Sequence, residues 1–507
     1  MLKRLWSVLL VLCLLLPACA AAEAQPAKAS PGMWYEVFVY SYSDSNGDGR
    51  GDLNGLRQKL SYIADMGYTG LWLMPVMPSP SYHKYDVTDY MDVDPLYGTL
   101  DDMRALVKEC HALGLRLIID LPVNHTSTQH DWFKLATTSL KFGNLGNKYI
   151  GFYTFSQKRT GKMARVEGTN WYFEEQFSGG NMPDLNLTNP EVRRQLEKVI
   201  RFWLKDVDVD GFRLDAVTSY TDTLEGNIEV LRWINDTAKA AKPDCYIVGE
   251  AWTSLDQISR YYESGIDSFF LFPASQAEGY IVSALKAQKP AESYFKALAA
   301  TESAIPDGII APFLCNHDTG RSVGLLQARS DPAKAKFAEG LLNLFPGSVF
   351  TYYGEEIGMV GSGVDPNKRI GMYWAQGEIT LPPPGATRTD YAYPGVYAQQ
   401  VDGASLLNYC KALNHLKAKF PVIMTGRSEA LVVDGALLAL RRFDGESECV
   451  IAINFDAQSE GRIALSGSYA LSGELLTGTD PVKLDTEEGK TSLQLPPYSI
   501  AVLLEQN

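Results

Sequence analysis

Acidic residues end three short apolar segments of this chain. Asp215 ends GFRLD, Glu250 ends YIVGE and Asp318 ends CNHD. A buried carboxylate costs free energy unless it is paired or used, so the repeated pattern indicates an active site more than a set of structural ion pairs. The sequence shows no nucleophile elbow and no thiol cluster, and paired carboxyl groups then indicate glycoside chemistry, in which one carboxylate attacks and one carboxylic acid protonates the leaving group.

The neighbours of two of these acids predict their protonation states. Arg213 lies two residues before Asp215, and residues i and i+2 of a strand point to the same face. A nearby cation lowers the pKa of a carboxyl group, so Asp215 is expected to be the ionised nucleophile. Glu250 follows an apolar run, and burial raises the pKa of a carboxyl group, so Glu250 is expected to be the protonated acid.

Alternating strands and helices must hold these residues. Eight predicted strands alternate with helices over residues 34–418, which predicts an α/β fold of the (β/α)8 TIM barrel type with catalytic residues at the carboxyl ends of its strands. Residues 123–188, rich in Gly, Asn and aromatic side chains, interrupt the pattern and are expected to form an inserted domain after strand 3. Short alternating strands predict a C-terminal all-β sandwich domain over 419–507, in which 492–504 is expected to be one strand.

Composition restricts the class of partner. The chain has 507 residues, 46% of them hydrophobic, and a formal charge of −14, which argues against nucleic acid because phosphate binding needs a basic face. Outside the first 20 residues the cysteines are scattered with no CxxC pair, so neither a disulfide framework nor a zinc site is predicted.

The N-terminus has the pattern of an export signal. A basic start precedes the apolar run 5–16, which is too short to span a membrane and predicts a signal peptide over residues 1–18. The residues ending at Cys19 resemble a bacterial lipobox, in which Cys19 would carry lipid and 19–33 would form a tether. Ordinary cleavage within 20–22 is the alternative. The expected location is extracytoplasmic, either as a cell-surface lipoprotein or as a secreted protein.

Four segments together resemble the conserved regions of the α-amylase family, glycoside hydrolase family 13. They are LPVNH, GFRLDA, VGEAW and CNHD, and they occur in the family's order. The resemblance implies Asp215 as nucleophile, Glu250 as general acid/base and Asp318 as the carboxylate that stabilises the transition state. It further implies a set of residues that bind the sugar beside the cut: His83, Tyr85, His125, Arg213, His317, Asp365 and Arg369.

Two further segments bear on the specificity. MPDLN, at 182–186, resembles the marker of a group intermediate between the oligo-1,6-glucosidase and neopullulanase groups, which includes exported α-amylases. Thr218 and Ser219 stand where typical α-amylases have Lys and His, so the usual contact beyond the cut and a second calcium are not expected.

The expected function is a monomeric retaining α-amylase acting on starch and maltooligosaccharides. A cyclomaltodextrinase or neopullulanase, an α-glucosidase and a 4-α-glucanotransferase remain open as alternatives within the family. A non-catalytic glucan-binding protein is the alternative from another class, and the complete set of three acids speaks against it.

An early loop has the composition of a calcium site. DSNGDGRGDLNG begins like an EF-hand loop but has Gly55 where an EF-hand has its bidentate Glu. Its oxygen atoms nevertheless suit Ca²⁺, and the family resemblance implies the same ion. A Gly/Asp turn without metal is the alternative. The expected ligands are Asp44, Asn46, Asp48, Asp52 and a backbone carbonyl near Arg50.

Overall fold

A computed structural model gives the structure of residues 29–506. The predicted signal peptide, the predicted lipid-bearing Cys19 and most of the predicted tether lie outside these described residues. Between residues 29 and 506, no helix combines the length and the apolar character needed to cross a membrane.

Eight parallel strands form the barrel that the alternation predicts. They are β1 (Met33–Val37), β2 (Gly70–Leu73), β3 (Arg116–Leu121), β4 (Gly211–Leu214), β5 (Tyr246–Gly249), β6 (Ser268–Phe270), β7 (Ile309–Ala311) and β8 (Val349–Tyr352). Strands β1 to β7 pair in chain order, and β8 pairs with the free edge of β1. Backbone hydrogen bonds from Ser348 N–H to the Ile310 carbonyl (2.7 Å) and from Phe350 N–H to the Pro312 carbonyl (3.1 Å) join β8 to β7. The predicted barrel is confirmed.

Helices follow the strands and cover the outside of the barrel. One begins where Asn189 accepts a hydrogen bond from Glu191 N–H and Pro190 occupies the first turn, an arrangement that favours a helix start. The α-helices between the strands and after β8 are Leu53–Gln58, Leu60–Asp65, Leu100–Ala112, Pro190–Arg201, Leu224–Ala241, Leu255–Tyr261, Tyr280–Lys286, Pro290–Ala304, Ser322–Leu325, Pro332–Asn343, Asp365–Lys368, Val396–Gln400, Leu406–Lys419 and Val422–Thr425.

Aromatic side chains fill the amino-terminal part of the barrel interior. Trp34 on β1 stacks on Tyr246 of β5, with ring centroids 4.9 Å apart, and on Phe350 of β8 at 5.9 Å. Side chains alternate along a strand, so Glu36 projects from β1 on the same face as Trp34. The interior therefore has an apolar layer that closes one end and a charged layer above it, at the end where the strands terminate.

The inserted segment packs beside the carboxyl end of the barrel. It contains the helix Asp131–Lys141 and a small antiparallel sheet of Phe155–Ser156, Tyr172–Glu174 and Met163–Arg165. An antiparallel bridge between His125 and Asp184 ties its beginning to its end. The connection from β3 to β4 therefore leaves and returns over the same edge of the barrel.

The C-terminal part is the predicted all-β unit, built from two packed sheets. Its strands are β9 (Arg427–Asp434), β10 (Leu437–Phe443), β11 (Glu448–Asn454), β12 (Gly461–Ser466), β13 (Tyr469–Leu476), β14 (Lys483–Glu487), β15 (Lys490–Leu495) and β16 (Ser499–Glu505). One sheet has the order β9-β10-β11-β16-β13, and the other has the order β12-β15-β14. The single strand predicted over 492–504 was wrong. Pro496 and Pro497 supply no backbone N–H, so the chain turns there and crosses from one sheet to the other.

Candidate active site

A buried guanidinium organises one side of the site. Arg213 projects from β4 with no exposed surface, and its Nη1 lies 2.6 Å from Asp215 Oδ1 and 2.9 Å from Asp120 Oδ1. Its Nη2 lies 2.9 Å from Glu250 Oε1. Asp120 belongs to β3, Asp215 follows β4 and Glu250 follows β5. Three neighbouring strand ends therefore bring three carboxyl groups to one cation.

Three carboxyl groups share one cation on this side of the site, which favours a bound proton on a carboxyl group. Burial raises the pKa of Glu250 to about 8, with Asp215 and Asp318 adding to the effect and Arg213 opposing it. Burial likewise raises the pKa of Asp120 to about 7. The second oxygen of Glu250 accepts the Ala216 N–H at 2.9 Å. Burial therefore shifts Glu250 towards the acid form, which is the direction that the sequence predicts.

On the opposite side of the site, one carboxylate is paired with two cations. Oδ2 of Asp318 lies 2.9 Å from His317 Nε2, and its Oδ1 lies 2.9 Å from Arg369 Nη2. Although burial opposes ionisation, these two cations hold the pKa of Asp318 well below its usual range. The pKa of His317 rises to about 9 because Asp318 and Glu36 outweigh its desolvation. Asp318 is therefore a fixed anion.

The predicted sugar-binding residues gather around these groups. They surround a cleft of about 490 Å³ between the barrel and the inserted segment. Arg213 and His317 lie beneath its floor with no exposed surface. The predicted residues that line the cleft itself are His83, Tyr85, His125, Asp215, Glu250, Asp318, Asp365 and Arg369.

Two residues on the cleft wall differ in how they are held. The Tyr85 hydroxyl lies 2.9 Å from Asp120 Oδ2, and its ring stacks on His317 with centroids 5.5 Å apart. His125 is fully buried, yet neither of its ring nitrogens has a hydrogen-bond partner among the described residues. An unpaired buried polar group is costly, so His125 is available to a ligand hydroxyl in the cleft.

The cleft also contains aromatic residues that the sequence reading did not assign to the site. Trp252, 48% exposed, follows β5 and stacks on Phe272 with centroids 4.6 Å apart. Phe177, 39% exposed, comes from the inserted segment and meets the His125 ring edge-on at 5.3 Å. Such exposed aromatic faces suit sugar rings. Trp252 stands two residues after Glu250, which was a usable signal, whereas nothing near Phe177 marks it in the sequence.

The candidate calcium loop is held by its own side chains. Asp44, Asn46 and Asp48 each accept a hydrogen bond from the backbone N–H two residues on, at 3.0, 2.9 and 2.7 Å. Asp52 instead accepts the Gly55 N–H at 2.7 Å and begins a helix. Over residues 29–506 no three His, Cys, Asp or Glu side chains are grouped so as to hold a metal.

The sequence of this chain matches a known protein family. The family described as alpha amylase, catalytic domain, matches residues 36–422. Over 435 residues the chain is 34% identical to Alpha-amylase 3 of Dictyoglomus thermophilum, covering 83% of this chain and 84% of that protein. Proteins named alpha-glucosidase and 4-alpha-glucanotransferase also match the chain.

Two solved structures match this chain over nearly its whole length. Amy13B of Eubacterium rectale is 40% identical with a TM-score of 0.89, covering 94% of this chain and 96% of that one. An alpha-amylase from H. orenii is 32% identical with a TM-score of 0.83, covering 94% and 100%. The chain therefore belongs to the alpha-amylase family, glycoside hydrolase family 13, and is an enzyme of that family.

Proposed function

We propose that the protein hydrolyses the α-1,4-glucosidic bonds of starch and maltooligosaccharides with retention of anomeric configuration. The observation that carries the proposal is the position of Arg213, whose two terminal nitrogens lie 2.6 Å from Asp215 Oδ1 and 2.9 Å from Glu250 Oε1. Retaining enzymes need their two carboxyl groups about 5–5.5 Å apart, whereas inverting enzymes need about 6.5–9.5 Å to admit a water. Sharing one small cation supports the shorter separation.

The proposed reaction assigns one task to each acid. Asp215 attacks the anomeric carbon while the Glu250 proton passes to the glycosidic oxygen, so the bond to the leaving sugar breaks and a glycosyl ester forms. A water then attacks the same carbon, Glu250 takes its proton, and Asp215 leaves. The fixed negative charge of Asp318 favours the positive charge that develops on the sugar ring in both steps.

The first test is a time course on soluble starch that follows iodine colour and reducing ends together. Rapid loss of colour with few new reducing ends is expected, because an internal cut shortens the polymer at once. Proton NMR of the first products should show the α-anomer ahead of mutarotation. Initial release of the β-anomer would contradict the retaining mechanism.

A second candidate is a preference for short substrates, as in cyclomaltodextrinases, α-glucosidases or glucanotransferases. It is favoured by Thr218 and Ser219, which line the cleft beside Trp252 without a charged group. Maltotriose and cyclodextrin would be assayed in parallel with starch. Slow starch hydrolysis with fast cleavage of the small substrates, or longer products from maltotriose, would support this candidate.

Export completes the proposal, since starch cannot enter a cell. The predicted signal peptide and lipid-bearing Cys19 would place a monomeric enzyme on the cell surface. Metabolic labelling with a fatty acid, compared between the natural chain and Cys19→Ser, separates the two forms of export. Label in both proteins would contradict a lipid anchor on Cys19. Label in neither protein, with the enzyme released to the medium, would also contradict it.

Calcium is proposed as a structural ion of the early loop. Asp44, Asn46 and Asp48 offer hard oxygen atoms at alternate positions, which suits Ca²⁺, and the ion would tie the loop together without taking part in bond cleavage. Free Ca²⁺ at about 100-fold above its Kd would stabilise the fold by about 2.7 kcal/mol. A chelator should therefore lower the Tm, and Asp48→Ala should abolish that response. An unchanged Tm in the natural chain would contradict the site.

A further inference from the structure

Glu36 is a buried carboxylate beneath the cleft, and the sequence motifs assign it no role. It lies on β1 with 1% exposure, and its Oε1 is 2.6 Å from Nδ1 of His317. His317 follows β7 and is completely buried. Because a carboxylate only accepts hydrogen bonds, this contact fixes a proton on Nδ1.

The other nitrogen of His317, Nε2, lies within hydrogen-bonding distance of two partners. Nε2 lies 2.9 Å from Asp318 Oδ2 and 2.6 Å from the Tyr85 hydroxyl. In the doubly protonated imidazolium, Nε2–H donates to Asp318, and the Tyr85 hydroxyl donates to Asp120 at 2.9 Å. In the neutral ring with its proton on Nδ1, Nε2 must accept the Tyr85 hydroxyl, and Asp318 loses a donor.

The charges around His317 decide between these states. Two carboxylates, Glu36 and Asp318, face its two nitrogens. Arg369 donates from Nε to the His317 backbone carbonyl at 3.1 Å. Burial raises the pKa of Glu36, and the charges of His317 and Arg213 oppose that rise. Burial lowers the pKa of the ring, but Asp318 and Glu36 together raise it to about 9.

We propose that Glu36 is a positioning residue whose carboxylate keeps His317 doubly protonated, so that Nε2–H stays on Asp318 and the Tyr85 hydroxyl stays on Asp120. The inference deepens the proposed function, on which it rests, because Asp318 is the anion expected to stabilise the transition state. Glu36 itself does not line the cleft, and it acts only through His317.

The test is a titration of the histidine side chains by NMR in protein labelled at histidine. The chain has 6 His, so His317→Gln suffices to assign the His317 signal. Glu36→Gln keeps the size of the side chain and an oxygen for Nδ1–H, and removes only the charge. In the natural chain the His317 signal should stay that of the imidazolium through neutral pH. In E36Q its midpoint should fall by about 1–3 pH units, the effect of losing one adjacent opposite charge.

Glu356→Gln is the matched control. Glu356 is a fully buried acid that also contacts β1, through the Tyr35 hydroxyl, but it does not line the cleft. E356Q should leave the His317 midpoint unchanged. Equal midpoints in the natural chain and E36Q would overturn the proposal, as would an equal fall in E36Q and E356Q.

Two further measurements keep the proposal open to refutation. If E36Q does not fold, Glu36→Asp retains the charge, and a natural-chain midpoint at or below the ordinary histidine value would overturn the proposal by itself. At alkaline pH, kcat/KM on maltooligosaccharides should be lost in E36Q, because His317 loses its second proton at a lower pH. E36D should keep that activity. A chain that cleaves no glucan but shows the shift in E36Q would refute the proposed function and leave the role of Glu36 intact.

Discussion

The cleft has an Arg213 side and an Asp318 side, and the two differ in their ratio of cations to carboxyl groups. On the first side, three carboxyl groups contact one guanidinium, and the pKa of Glu250 rises to about 8. On the second side, one carboxylate contacts both His317 and Arg369, and its pKa falls.

Burial alone does not account for this difference. Desolvation raises the pKa of both Glu250 and Asp318, so their opposite behaviour comes from the charges beside them. The reaction proposed for this site needs a proton donor and a fixed anion at the same pH. The fold provides both by distributing its arginines and histidine unevenly over neighbouring strand ends.

The largest effect is expected from Asp215→Asn, which removes the proposed nucleophile from the Arg213 side. Activity on maltooligosaccharides should fall by about 10⁴-fold or more, because an amide cannot form the glycosyl ester. Steady-state rates, with Tm as a check of folding, measure the effect. Asp89→Asn changes an exposed acid outside the cleft and should be silent. Activity within tenfold of the natural chain would exclude Asp215 as the nucleophile.

A smaller loss is expected from Glu250→Gln. Activity on starch should fall by about 10²–10⁴-fold, the usual contribution of a general acid. The loss should shrink for a glucoside whose leaving group needs no proton.

The pH profile gives a second measurement of the same change. Glu250 acts in its protonated form, so kcat/KM of the natural enzyme should fall as pH rises through about 8, and E250Q should lose that limb. A limb that persists unchanged in E250Q would assign it to another group, with His317 next in order.

Features that a local pattern encodes could be predicted from the sequence, whereas contacts between distant strands could not. The barrel follows from alternating local patterns, and Asp215, Glu250 and Asp318 stand at the ends of apolar runs, so single segments of sequence reveal them. The Glu36–His317 contact joins residues 281 positions apart, and it depends on closure of the barrel. No local pattern encodes such a pairing, because the register of distant strands decides it.

One error in the strands has a local cause instead. The strand predicted over 492–504 breaks at Pro496 and Pro497, which lack the N–H that a central strand donates. Its alternation of apolar residues continues across the break because β15 and β16 line the same core from opposite sheets, as shown by the shared burial of Leu493 and Leu503. Periodicity alone therefore merged two strands that the prolines separate.

The smallest effect tests the Asp318 side alone. Lys368 donates from Nζ to the Asp318 backbone carbonyl at 2.7 Å and to Asp365 Oδ1 at 2.8 Å. Lys368→Met keeps the length of the side chain and removes this charged donor. The expected loss in kcat/KM is about tenfold, since a hydrogen bond from a charged group contributes about 1.5–3 kcal/mol.

The position of the pH limb makes K368M informative about the whole cleft. The Arg213 side is untouched, so the fall of kcat/KM near pH 8 should not move, although the rate at every pH is lower. Lys411→Met removes an exposed ion pair with Asp65 and should change the rate less than twofold. A shifted limb in K368M would mean that the pKa of Glu250 responds to the charge of Lys368 as well as to its own neighbours. A loss no greater than in K411M would mean that the backbone of Asp318 is held without Lys368.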